Sequence, residues 1–80
     1  MTRVFQYRAH GPRTDFAGAV DYTVTETLTE TPGGLLVETH ALGVCEGERV
    51  NEREARIAPG CDMATACEYR RTHGYTEVKS

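Results

Sequence analysis

Cys45, Cys61 and Cys67, together with His10, His40 and His73, are the side chains of this chain with the most reactive chemistry. Their spacing decides which reactions are open to them. Cys61-x5-Cys67-x5-His73, completed by Cys45 or His40, would supply the donors of a zinc site. Six residues along a helix turn through about 600°, so Cys61 and Cys67 would point about 120° apart. Neither a C-x2-C nor a C-x4-C pair occurs to close a tetrahedral site. The plainer reading makes Cys67 a small buried hydrophobe and the other two ordinary thiols, with no metal and no cofactor. A Cys45 nucleophile served by His40, His10 or His73 is the other catalytic arrangement. Nothing in the spacing holds a base within reach of that sulfur or builds an oxyanion hole, so the expectation is a protein that is not an enzyme.

Charge is the stronger signal. Between Thr14 and Glu48 stand Asp15, Asp21, Glu26, Glu30, Glu38, Glu46 and Glu48 with no Lys or Arg among them, a formal −7 over 35 residues. Residues 1–13 carry +3 and residues 49–80 carry +1, so the net charge of −3 hides an uneven layout. An acidic hairpin of this kind suits a basic surface on a larger protein or complex, read through carboxylates about 3.3 Å apart per residue along a strand. The residues expected to carry such docking are Glu26, Glu30, Glu38, Asp21 and His40. Small phage-encoded inhibitors of host defence complexes, anti-CRISPR proteins among them, are the class to which this size and charge layout point. The competing expectation is a nucleic-acid-binding sheet-plus-helix module using Arg8, Arg13, Arg70 and Arg71. A phosphate backbone would be repelled by most of the acidic hairpin, which makes nucleic acid the weaker partner.

The elements that must position these residues follow from periodicity. Residues 2–9 alternate so that Phe5, Tyr7 and Ala9 share a face, a strand that stops at His10-Gly11-Pro12. Val20 to Thr31 alternates throughout, with Thr23, Thr25, Thr27, Thr29 and Thr31 on odd positions. Pro32-Gly33-Gly34 supplies a turn into a second strand, Leu35 to Val44. A three-residue loop sets Thr31 opposite Leu35 and makes opposed residue numbers total 66; a four-residue loop, totalling 65, is the alternative. In the first register Glu26 meets His40, an ordinary cross-strand pair. The threonines then lie beside Gly43, Ala41, Thr39 and Val37 on a flat, uncharged face, which favours a homodimer.

Arg49 to Ile57 fits either a short helix or an edge strand, and the strand is preferred because it continues the meander. Asp62 opens a helix to about His73 whose apolar side is Met63, Ala64, Ala66 and Cys67, and Tyr75 to Lys79 closes with a short strand. The fold class expected is therefore α+β: one domain over residues 1–80, a small antiparallel meander of four or five strands with one C-terminal helix packed on the sheet. No segment reaches the roughly 20 apolar residues of a membrane-spanning helix. Three cysteines that cannot all pair, and no apolar run at the N-terminus, suit a reducing cytoplasm.

Overall fold

The computed structural model describes residues 1–12 and 19–78. They form five antiparallel strands and one helix: β1 (Thr2–Pro12), β2 (Ala19–Thr31), β3 (Gly34–Cys45), β4 (Glu48–Pro59), α1 (Met63–Thr72) and β5 (Thr76–Val78). The sheet order is β4-β3-β2-β1-β5, so α1 carries the chain across the sheet from one edge to the other. This is the α+β meander with a C-terminal helix that the alternation implied. Arg49 to Ile57 is strand, paired along its whole length with β3. β1 runs past His10, with Gly11 opposite Val20 and Pro12 opposite Ala19. Because β5 pairs only with Val4 to Gln6, that end of β1 is an edge, where proline is tolerated.

The β2–β3 register differs from the expected one by a single residue. Thr31 lies opposite Gly34 and Val20 opposite Cys45, so opposed numbers total 65 and only Pro32 and Gly33 form the turn. Gly34 makes this possible: at φ 154° its backbone runs so close to β4 that a Cβ would collide with the Ala58 carbonyl oxygen. Burial selects the same answer. The total of 65 puts Leu28, Leu35 and Val37 on the face that holds Phe5, whereas 66 would have set Leu28 against Glu38.

Two sheet faces follow from this register. Phe5, Tyr7, Val24, Glu26, Leu28, Leu35, Val37, Thr39, Arg56 and Ala58 lie on the face that α1 covers in part. The other face bears Thr23, Thr25, Thr27 and Thr29 beside Leu42, His40, Glu38 and Leu36, with Arg53 and Ile57 beyond them. The expected uncharged threonine face is thus not the one that forms.

Asp62 caps α1, its Oδ1 accepting from the Thr65 amide at 2.7 Å. The Thr65 hydroxyl and amide together hold the Asp62 carboxyl below its ordinary range. Ala66 and Cys67 are small enough to bring the helix down onto Phe5, Leu28, Leu35 and Val37, with Ala58, Cys61, Met63 and Tyr75 around them. Ala64 is exposed, contrary to the expected apolar side, and Arg70 is buried in its place. All three cysteines are free thiols.

Candidate functional site

Glu26 and Arg70, expected on two different surfaces, are joined under the helix. Arg70 Nε donates to Glu26 Oε1 at 3.0 Å, and the two side chains retain 7% and 13% of their exposure. Thr39 Oγ1 donates to the other carboxylate oxygen at 3.0 Å, and Arg70 Nη1 donates to the Ala66 carbonyl at 3.1 Å. A charge taken this far from water persists only when paired and hydrogen-bonded, and both conditions hold. Neither side chain is exposed enough to meet the surface of a partner protein.

The remaining acidic residues divide between the faces. Asp21 lies on the threonine side, where Arg8 Nη2 approaches its Oδ1 to 3.2 Å and His10 to 3.9 Å. Glu38 is exposed on that same face. His40 is turned to Asn51, its Nε2 2.9 Å from Oδ1, and so does not face Glu26. Glu30 is exposed at the opposite end of the helix side. Asp15 lies outside the described residues.

The arginines do not assemble into one patch. Arg8 is on the threonine face, Arg70 is buried on the helix face, and Arg71 shares Glu77 with Arg3. Arg13 lies outside the described residues. The Arg3 fork grips Glu77 through Nη2 at 2.6 Å and through Nε, and these bonds, with help from Arg71, lower the Glu77 carboxyl to about 2.

A different acidic feature emerges on β4. Its even positions carry Glu48, Glu52 and Glu54 on the helix side, followed there by Arg56, while Arg49 and Arg53 occupy odd positions on the other side. These carboxylates lie beyond the part of the sheet that α1 covers, are exposed, and join no ion pair among the described residues. Glu46, in the preceding turn, is exposed as well. A mixed run of acids and arginines looks neutral as a string of letters. Only the two-residue strand period separates the three glutamates from Arg49 and Arg53, leaving Arg56 alone on their side, so the feature was readable once β4 was taken as a strand.

Among the described residues no group of three His, Cys, Asp or Glu side chains is arranged to hold a metal ion, and no helix is long and apolar enough to cross a membrane. The chain matches no protein-family model, and neither a curated protein nor a solved structure is similar to it.

Proposed function

We propose that this chain is a non-enzymatic protein-binding module that docks an acidic surface onto a basic surface of a larger partner. The observation that carries the reading is the row Glu48, Glu52 and Glu54 along an edge strand, which joins no ion pair among the described residues. At about 3.3 Å per residue, Glu52 and Glu54 stand about 7 Å apart, a spacing two neighbouring Arg or Lys side chains can match. An edge position leaves the row clear of the sheet on its outer side, so a partner can approach without displacing any described element.

Basic channels that ordinarily hold nucleic acid are the surfaces best suited to such a row. An inhibitor of a host defence complex, of the anti-CRISPR kind, is the function proposed within this class. The proposed surface moves from the hairpin to β4, because Glu26 and Asp21 are already neutralised by Arg70 and Arg8.

Affinity capture from source-host lysate tests the reading with three baits: the unaltered chain, Glu48→Lys/Glu52→Lys/Glu54→Lys, and Glu30→Lys/Glu38→Lys. Loss of the captured partner from the β4 variant, with retention by the second, is the expected result. Equal capture by all three baits removes the acidic surface as the docking element.

A further inference from the structure

Where the C-terminal end of α1 overhangs the sheet, a cleft of about 440 Å³ opens between helix and strands. Tyr7 of β1, Glu26 of β2 and Arg56 of β4 form its floor and far side, and Tyr69 and Arg70 of α1, its C-cap His73 and Tyr75 form its roof. The volume lies in the range of small-ligand sites.

Aromatic rings make its walls. Tyr7 and Tyr75 sit with ring centroids 5.6 Å apart at 42°, and Tyr69 stacks on His73 at 4.0 Å and 22°. The His73 Nδ1 is 2.7 Å from the Tyr69 carbonyl, which can only accept, so Nδ1 donates the proton of that bond. Burial raises the Tyr75 hydroxyl above its ordinary 10, so it stays a neutral donor at physiological pH.

The charges are unbalanced in one direction. Glu26 answers one guanidinium, that of Arg70, whose Nε and Nη1 are engaged; among the described residues no hydrogen bond holds Nη2. Arg56 is exposed at the mouth and joins no ion pair among them. Two guanidinium groups against one carboxylate leave a single positive charge. A purely structural ion pair has no need of this surround, since apolar residues of similar volume stabilise as well or better.

We propose that this cleft is a binding site for a planar aromatic molecule bearing one anionic group, its ring between the Tyr7/Tyr75 and Tyr69/His73 pairs and its anion on Arg56 and Arg70. Stacking against tyrosine faces favours a flat ring, and a guanidinium fork favours a carboxylate. The site stands apart from the row of glutamates proposed for docking.

2-Naphthoate is the probe, followed by its fluorescence anisotropy in a chain that contains no Trp. The expected dissociation constant is on the order of 100 μM. 2-Naphthylmethanol, which has the ring without the charge, and acetate, which has the charge without the ring, should each bind at least about ten-fold more weakly, acetate being read by competition. Arg56→Gln and Tyr7→Leu should each weaken naphthoate about ten-fold with the far-ultraviolet circular dichroism unchanged. Arg49→Gln, on the opposite face, should leave it alone. Absence of binding at millimolar naphthoate, equal affinity for the neutral alcohol, or an equal loss in Arg49→Gln would each overturn the site. Glu52→Lys/Glu54→Lys should bind naphthoate no more weakly than the unaltered chain, which keeps this test separate from the docking surface.

Discussion

Two ion pairs of similar geometry differ in how far the arginine is buried: Arg3 keeps 31% of its side-chain exposure and Arg70 only 7%, which makes the second the drier pair. Glu77 is held by Arg3 and Arg71 at the surface, and its carboxyl falls from an ordinary 4.5 to about 2. A lowered folded-state value means that the ionised form is favoured by folding, so the contribution is complete above about pH 4.5 and fades as pH falls toward 2. Glu77→Gln should therefore flatten the dependence of the urea midpoint on pH across that window. Asp62 is also lowered, by its hydrogen bonds from Thr65, and Asp62→Asn keeps the helix cap while removing its share of the pH dependence. The dry pair gives a different signature. Glu26→Gln leaves the Arg70 charge buried without its counter-ion, and a loss of about 3–5 kcal/mol in denaturant unfolding is expected. Glu26→Gln combined with Arg70→Met should recover most of that loss, since the cost lies in the stranded charge. A double variant as unstable as the single one would show that shape, rather than charge, is what Arg70 contributes.

At the scale of elements, Gly43 shows how closely the meander is drawn together. It sits at φ 145° opposite Tyr22, and a Cβ there would collide with the Asp21 carbonyl oxygen and the Tyr22 backbone. Gly43→Ala should cost about 1–3 kcal/mol and speed amide hydrogen exchange at Asp21 and Tyr22, where the two strands must part. How far such features can be read from letters alone depends on how local they are. β2 declares itself through unbroken alternation from Val20 to Thr31, and α1 through the Asp62 cap, because both signals lie within a few residues. The register escaped because Pro32-Gly33-Gly34 serves as a turn of two or of three residues, and the difference of one exchanges the partners of every threonine. The Glu26–Arg70 pair escaped for a deeper reason. Its members are 44 residues apart, and an arginine near a helix C-terminus has a sufficient local explanation in the helix dipole.

For the whole molecule the exposed edge of β4 raises the question of self-association. The case for a homodimer rests on a neutral threonine face, and the face that forms carries Arg8, Glu38, His40 and Arg53. Two copies of β4 pairing antiparallel about a two-fold axis would set like residues together. Any register centred on Glu52, Arg53 or Glu54 places that charge opposite itself. Sedimentation should therefore find a monomer at micromolar concentration, and Glu52→Thr/Arg53→Thr/Glu54→Thr should associate. A dimer in the unaltered chain, undiminished by added charge on β4, would defeat this expectation. The opposite edge carries a consequence in time. β5 closes the sheet by pairing with β1, and the Arg3–Glu77 clasp spans 74 residues. The hairpins of β1 to β4 join neighbouring segments and can form before the distant β1–β5 closure does. During that interval Val4 and Phe5 lie on an outer strand with neither β5 beside them nor α1 above. The folding chain is thus most open to other unfinished chains until β5 has paired with β1.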